Sequence, residues 1–185
     1  MARTPSNMLP IGTKAPDFSL PDTISNAVLN LNQLKGDTGT VIMFICNHCP
    51  FVIHVNPQLV DLGHTYAEKG IGFIAISSND AINYPQDAPE QMTLHAKKEN
   101  YPFPYLYDES QDIAKAYDAA CTPDFYVFDS ALKLTYRGQL DDSRPGNGRP
   151  VTGQDIRHAL DNLISGKAHT AIQKPSIGCN IKWKN

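Results

Sequence analysis

Apolar runs and helical spacings alternate along this chain, and they predict where its strands and helices lie. Two short continuous apolar runs, residues 40–45 and 73–77, are typical of strands that are buried on both faces. Between them, apolar side chains recur every three or four residues, which predicts an amphipathic helix. These side chains are Val52, Val55, Leu59, Leu62 and Tyr66. Pro57 lies within this pattern, so we expect a kink in the helix.

The second half of the chain adds further helices and a closing hairpin. The predicted segments are a helix at residues 88–100, an extended segment at 105–107, a helix at 110–118, and two strands at 125–129 and 132–137. Only Ser130 and Ala131 separate the two strands, which predicts a β-hairpin. Thr152 is expected to cap a last helix that ends near Ser165.

Strands separated by helices imply parallel pairing within a covered sheet, and the hairpin adds an antiparallel pair. The expected fold is therefore α/β, with a mixed central sheet flanked by helices. No internal repeat or long linker divides residues 1–185, so we predict a single domain. Residues 15–20 and 27–31 predict a short N-terminal β-hairpin extension. Residues 1–10 are expected to form a loose lead-in, whereas the partly apolar tail at 168–185 is expected to dock on the body.

Charge and composition argue against several classes of partner. The net charge is −3 with no basic cluster, so we expect binding neither to nucleic acid nor to an anionic membrane. No apolar stretch approaches the ~20 residues that span a bilayer, and residues 1–8 lack the apolar core of a secretory signal. Four cysteines are too few for a disulfide scaffold of this length, so we expect a cytoplasmic protein.

The chemistry of the chain is concentrated in Cys46-Asn47-His48-Cys49-Pro50, a C-x-x-C pair between a predicted strand and a predicted helix. The positive end of a helix and its unpaired N–H groups stabilise a thiolate there, and the thiolate is the form that performs disulfide chemistry. The pair therefore predicts thiol redox chemistry. A non-enzymatic alternative is a metal- or partner-binding module that uses the same sulfurs. Structural zinc usually needs four ligands, however, and Cys121 and Cys179 are isolated in the sequence.

Four segments carry a family resemblance: residues 12–20, the strand followed by Cys46-Asn47-His48-Cys49-Pro50, residues 121–129, and Tyr136-Arg137-Gly138. They resemble the redoxin branch of the thioredoxin superfamily, which includes alkyl-hydroperoxide-reductase-like and thiol-specific-antioxidant-like proteins. The resemblance implies a thioredoxin-like three-layer fold. It also implies a cis peptide bond between Thr122 and Pro123 that faces the cysteine pair, with the Thr122 backbone available to a substrate's extended chain.

Either cysteine of the pair could be the attacking sulfur. The thioredoxin register favours Cys46, with Cys49 resolving the mixed disulfide, because two sulfurs three residues apart at a helix start suit reversible disulfide formation. The peroxiredoxin register instead places the attacking sulfur at Cys49, although no proline occupies the position that the strict peroxidase pattern requires. His48 is expected to stabilise the neighbouring thiolate when protonated. Cys121, two residues before Pro123, is a candidate third redox thiol.

These observations predict a thiol–disulfide oxidoreductase that cycles Cys46 and Cys49 between dithiol and disulfide, with no cofactor and no metal. The alternative enzyme is a peroxiredoxin-like thiol peroxidase that reduces hydroperoxides through a sulfenic acid. The expected partners are protein or small-molecule thiols and disulfides, hydroperoxides in the alternative, and a thioredoxin- or glutathione-type redox partner. The sequence assigns neither the physiological substrate nor the oligomeric state.

Overall fold

The computed structural model of the chain describes residues 3–184. Its strands are β1 (Arg3–Pro5), β2 (Ser19–Pro21), β3 (Val28–Asn30), β4 (Gly39–Phe44), β5 (Ile71–Ser77), β6 (Tyr105–Tyr107), β7 (Cys121–Thr122), β8 (Asp124–Asp129), β9 (Leu134–Gly138) and β10 (Ile177–Asn180). Its α-helices are α1 (Leu31–Leu34), α2 (Pro50–Ala67), α3 (Pro89–Glu99), α4 (Asp112–Ala116) and α5 (Gln154–Ile164). A short 3-10 turn, Pro85–Asp87, precedes α3.

The central sheet has the strand order β6-β5-β4-β8-β9. The strands β4, β5 and β6 are parallel to each other, whereas β8 and β9 run antiparallel and form the predicted hairpin. Both apolar runs therefore became neighbouring strands at the middle of one sheet. The mixed sheet flanked by helices confirms the predicted fold class.

Alternation along β4 explains why its whole run is apolar. Val41 and Met43 pack into the cluster formed with α2, α3 and α5, whereas Ile42 and Phe44 pack into the cluster on the opposite face. Successive side chains of a strand point to opposite faces, so a strand covered on both sides needs apolar residues at every position. The helix α2 continues through Pro57, and the five apolar positions predicted to face the core are buried.

The N-terminal end of the described chain is paired, which differs from the expected loose lead-in. Arg3–Pro5 form β1, which pairs antiparallel with β10 in a second sheet of order β1-β10-β7. Ser6 continues this contact, because its N–H donates to the Ser176 carbonyl oxygen at 2.8 Å. Residues 3–6 are held by pairing with the C-terminal tail, which is distant in sequence, so local sequence patterns do not predict this contact. Residues 7–10 of the predicted lead-in form neither helix nor strand, and residues 1 and 2 lie outside the described residues.

The last helix begins one residue later than predicted. Gly153 rather than Thr152 is the N-cap of α5, with φ at 67°, in the left-handed region where glycine costs least. The Thr152 hydroxyl still accepts a hydrogen bond from the Gln154 N–H at 3.3 Å. Within residues 3–184, no helix combines the length and apolar character that crossing a bilayer requires.

Candidate active site

The strand β4 and the helix α2 place the cysteine pair at the end of the central sheet. Cys46 follows the last buried residues of the strand, and Cys49 is the N-cap of α2 with Pro50 at the first helical position. Proline suits that position because its missing N–H would have no partner within the helix. The Val52 N–H donates a hydrogen bond to the Cys49 sulfur. Cys49 is therefore the cysteine at the positive end of the helix.

The loop between β7 and β8 lies against both sulfurs. Its Thr122–Pro123 peptide bond is cis. The Cys46 Sγ lies 3.4 Å from the Thr122 hydroxyl, and the Cys49 Sγ lies 3.1 Å from the Thr122 carbonyl oxygen. The structure therefore brings together four of the residues that the sequence singles out, although Cys46 and Thr122 are 76 positions apart.

The pKa values of the two cysteines are shifted in opposite directions. A hydrogen bond from Cys46 lowers the pKa of Cys49, and hydrogen bonds from Cys179 and from the Val52 N–H act in the same sense against the effect of burial. The pKa of Cys46 is raised by that shared hydrogen bond, by burial and by the negative charge of Asp87. These directions favour the thiolate at Cys49, whereas the thioredoxin register favours Cys46. The largest cause is the hydrogen bond from Cys46, and Cys49 also occupies the N-cap of α2, which begins at Pro50.

A third sulfur completes the site from the C-terminal tail. The Cys179 Sγ lies 2.9 Å from the Cys49 Sγ. All three sulfurs are shielded, because Cys46 is 1%, Cys49 0% and Cys179 1% exposed. Sequence reasoning predicts that the tail docks but leaves the place of Cys179 unassigned. The only sequence signal for this contact is a cysteine beside a glycine in a partly apolar tail, which is weak.

Asp87 is a site residue that the sequence analysis missed. Its Oδ2 lies 2.7 Å from the Nδ1 of His48 and accepts a hydrogen bond from the Asn79 amide at 2.8 Å. Its Oδ1 accepts one from the Asn47 N–H at 2.9 Å. Although burial opposes ionisation, the hydrogen bonds from His48 and Asn79 lower the pKa of Asp87. The buried carboxylate therefore contacts the His48 ring, and its negative charge acts on Cys46 in the sense opposite to the thiolate stabilisation expected from His48.

Three of these groups could also bind a metal ion. One ligand atom each from Cys46, His48 and Asp87 lies within 4.8 Å of the other two. Thiolate, imidazole and carboxylate are all zinc ligands, but a structural zinc site normally has four protein ligands. The metal-binding alternative therefore has a defined location, at the side of the pair nearest the 3-10 turn.

Cys121 occupies a different environment from the other sulfurs. It is fully buried, and its Sγ lies 3.6 Å from the Pro123 carbonyl oxygen. Burial raises the pKa of its thiol. These contacts are those of a packed thiol. The additional sulfur in contact with Cys49 is that of Cys179 rather than Cys121.

A buried ion pair supports the loop that carries Thr122 and Pro123. The guanidinium of Arg137 donates to the Asp124 carboxylate at 3.1 Å and to the Asp118 carbonyl oxygen at 2.7 Å. Both charged side chains are fully buried. Burial raises the pKa of Asp124, although Arg137 opposes that shift. Two interactions therefore hold the segment after the cis peptide against the core: the Asp124–Arg137 ion pair and the antiparallel hydrogen bonding between β4 and β8.

The fold and the paired cysteines define a thioredoxin-like protein of the redoxin branch. The thioredoxin domain of the thiol-disulfide oxidoreductase BVU-2223 from Bacteroides vulgatus has a similar fold, with a TM-score of 0.66 and 16% identity over 85% of this chain and 99% of that one. Residues 11–137 match the AhpC/TSA family, and the chain belongs to that family. Membership of this family supports a redox function in general terms. The curated proteins include no match to the chain.

Two solved structures resemble the chain over nearly its whole length. An uncharacterized conserved protein from Geobacillus kaustophilus is 60% identical, with a TM-score of 0.98 over 100% of this chain and 97% of that one. A hypothetical protein from Sinorhizobium meliloti is 46% identical, with a TM-score of 0.95 over 98% of each chain. The similarity extends beyond the part that matches the family, and therefore includes the C-terminal tail.

Proposed function

We propose that this protein is a thiol–disulfide oxidoreductase that cycles Cys46 and Cys49 between dithiol and disulfide. The observation that carries the proposal is the hydrogen-bonded cysteine pair at the N-terminus of α2, with Thr122 against both sulfurs. A helix N-terminus and a hydrogen bond from a neighbouring thiol both favour a thiolate, which is the reactive form. The family membership agrees with this chemistry.

In the proposed reaction, the Cys49 thiolate attacks one sulfur of a substrate disulfide. A mixed disulfide forms, and the other substrate sulfur leaves as a thiolate that takes up a proton. Cys46 then loses its proton and attacks the Cys49 Sγ, which forms the Cys46–Cys49 bond and releases the second substrate thiol. Two electrons pass from the dithiol to the substrate, and a thioredoxin- or glutathione-type partner returns them. The proposal includes a cytoplasmic location, where such reductants are present.

Capture of the mixed disulfide tests this proposal and the order of attack. After incubation with a peptide disulfide, Cys46→Ser/Cys179→Ser should accumulate a covalent adduct at Cys49, because neither sulfur that contacts Cys49 remains to resolve it. Cys49→Ser should accumulate little. An adduct confined to Cys46 in Cys49→Ser would support the thioredoxin register instead. The wild-type protein should form a reversible Cys46–Cys49 disulfide in a glutathione redox buffer. Absence of that disulfide would refute the proposed oxidoreductase activity.

A thiol peroxidase is the second candidate, because the AhpC/TSA match coincides with a lowered pKa at Cys49. The thiolate would attack the peroxide O–O bond and become a sulfenic acid, with release of an alcohol or water. Cys46 would then condense with the sulfenic acid to give the disulfide and water. Stopped-flow measurement of hydroperoxide consumption by the reduced protein distinguishes the peroxidase from the oxidoreductase.

Stoichiometric zinc after native purification, together with loss of titratable thiols, would support the metal-binding alternative.

A further inference from the structure

The C-terminal tail lies along the edge of the cis-proline loop. The strand β10 pairs antiparallel with β7, and the register places Cys179 opposite Thr122 and Asn180 opposite Cys121. This is main-chain pairing of an extended segment with the edge of a strand, the mode by which extended peptides add to a sheet. The tail therefore occupies, within the same chain, the edge at Thr122 that the family resemblance implies is available to a substrate's extended chain.

Close packing holds the tail in this position. A Cβ atom at Gly178 would lie 1.9 Å from the Thr122 carbonyl oxygen, so only glycine allows the two backbones to approach so closely. On one side, the Ser176 hydroxyl donates to the Pro123 carbonyl oxygen at 2.7 Å. On the other side, the Lys182 N–H donates to the Asn79 side-chain oxygen at 2.8 Å. The sulfur of Cys179 is thus positioned by backbone contacts on both sides.

We propose that Cys179 is a third redox residue of this site, which forms a disulfide with Cys49 in exchange for the Cys46–Cys49 disulfide. The inference rests on the proposed function, because that reaction supplies the first disulfide. It also uses the 2.9 Å approach of the Cys49 and Cys179 sulfurs, which requires little movement to reach the ~2.05 Å of a covalent bond.

The exchange is balanced within the chain and needs no external oxidant. The Cys179 sulfur gives up its proton and attacks the Cys49 Sγ. The Cys49–Cys179 bond forms, the Cys46–Cys49 bond breaks, and the Cys46 sulfur leaves and takes up a proton. One disulfide replaces another, so no electrons enter or leave. The product holds the tail covalently on the Thr122 edge and leaves Cys46 as a thiol.

The ionisation of the three thiols agrees with this assignment. In the reduced state, burial and the hydrogen bond to Cys49 raise the pKa of Cys179 to about 12, so Cys179 is the protonated donor toward the Cys49 thiolate. Once Cys49 is in a disulfide, its negative charge is gone and can no longer oppose ionisation of Cys179. Oxidation of the pair therefore removes the contribution of Cys49 to the raised pKa of Cys179, and the contribution of burial remains.

Controlled oxidation of the Cys46→Ser protein tests the inference. This variant keeps three cysteines. The oxidant is diamide, an azo compound that takes two electrons and two protons from a pair of thiols. Non-reducing peptide mapping should show a Cys49–Cys179 link, with titratable thiols falling from three to one. Cys46→Ser/Cys121→Ser should keep the link, whereas Cys46→Ser/Cys179→Ser should lose it. A link from Cys49 to Cys121, or no intramolecular link, would overturn the assignment.

The same oxidation of the wild-type protein distinguishes failure of the inference about Cys179 from failure of the proposed function. One equivalent of diamide, followed by acid quenching and alkylation, should yield both Cys46–Cys49 and Cys49–Cys179 linked peptides. If the protein exchanges disulfides reversibly but forms only the Cys46–Cys49 link, the redox role of Cys179 is overturned and the proposed oxidoreductase activity is supported. Absence of both links would overturn both proposals.

Discussion

The cysteine centre is built from two regions that differ in how they reach the same point. The body contributes Cys46 and Cys49 through one continuous segment, from a buried strand into a long helix. The tail contributes Cys179 through a four-residue strand that pairs with the cis-proline loop. The sulfurs of Cys49 and Cys179 are nevertheless in contact, at 2.9 Å.

The two regions also differ in what stabilises them. The body segment lies between two apolar clusters, and a fully buried ion pair between Asp124 and Arg137 supports its cis-proline loop. The tail strand is held mainly by backbone pairing and by hydrogen bonds to neutral groups. We therefore expect damage to the body to abolish activity or stability, and damage to the tail to change access to the sulfurs.

Removal of the shared sulfur should have the largest effect. Cys49→Ser deletes the group that contacts both Cys46 and Cys179, so disulfide exchange should fall by about 10³-fold or more, as expected when a nucleophile is lost. Initial rates with a peptide disulfide and a glutathione-coupled assay measure this effect. Cys121→Ser is the matched control, because it removes a buried packed thiol and should keep the rate. Comparable losses in the two variants would mean that the effect is structural.

Breaking the buried ion pair should have the next largest effect, on stability. Arg137→Met leaves the Asp124 carboxylate buried without its partner, which should cost about 3–5 kcal/mol of unfolding free energy near neutral pH. Arg157→Met breaks a surface pair with Asp61 and should cost only about 0.2–1 kcal/mol. Urea unfolding measures both. Equal losses would contradict the contrast between buried and exposed charge.

The pH dependence of the Arg137→Met variant follows from the pKa of Asp124. Burial raises this pKa in the folded protein above its unfolded value, and removing Arg137 raises it further. The folded state then binds more protons than the unfolded state, so stability is greatest below the unfolded pKa and is lost as pH rises through the folded pKa. The deficit of the variant should therefore be smallest near pH ~4. A deficit independent of pH would exclude Asp124 as its cause.

A change in the tail should have a smaller effect on stability and a distinct effect on access. Gly178→Ala places a Cβ against the Thr122 backbone, so β10 must shift, at a cost of about 1–3 kcal/mol. Alkylation of Cys46 and Cys49 by iodoacetamide in the folded protein should accelerate. The control is Ile172→Ala, at a tail side chain that is 91% exposed, which should change neither quantity. Unchanged alkylation of Gly178→Ala would show that the tail does not limit access.

The smallest effects should come from the charges beside the pair. Asp87→Asn removes a negative charge that raises the pKa of Cys46, so that pKa should fall by about one unit. His48→Ala removes the positive partner of Asp87 and should shift the same pKa upward. The rate of alkylation against pH reports both shifts. Shifts in the same direction for both variants would contradict the assignment of His48 and Asp87 as a charge-balancing pair.

The same two regions show what a sequence can and cannot predict here. The strands, the helix α2 and the cysteine pair follow from local patterns, because periodicity and spacing act over a few residues. The contact of Cys179 depends on pairing between β10 and β7, and the short strand β10 has no recognisable alternation. Asp87 was missed for a similar reason, since it meets His48 only through the fold. The cap of α5 was displaced by one residue, because Gly153 adopts a left-handed conformation.

The place of β10 between β1 and β7 also bears on the order in which the protein assembles. A domain generally folds as a unit, and β10 is synthesised after every other strand of the structure. The central sheet, α2 and the cis-proline loop are all available before residues 177–180 have been made. A nascent chain that has not reached residue 177 therefore lacks the strand that pairs with β7 and the sulfur that contacts Cys49.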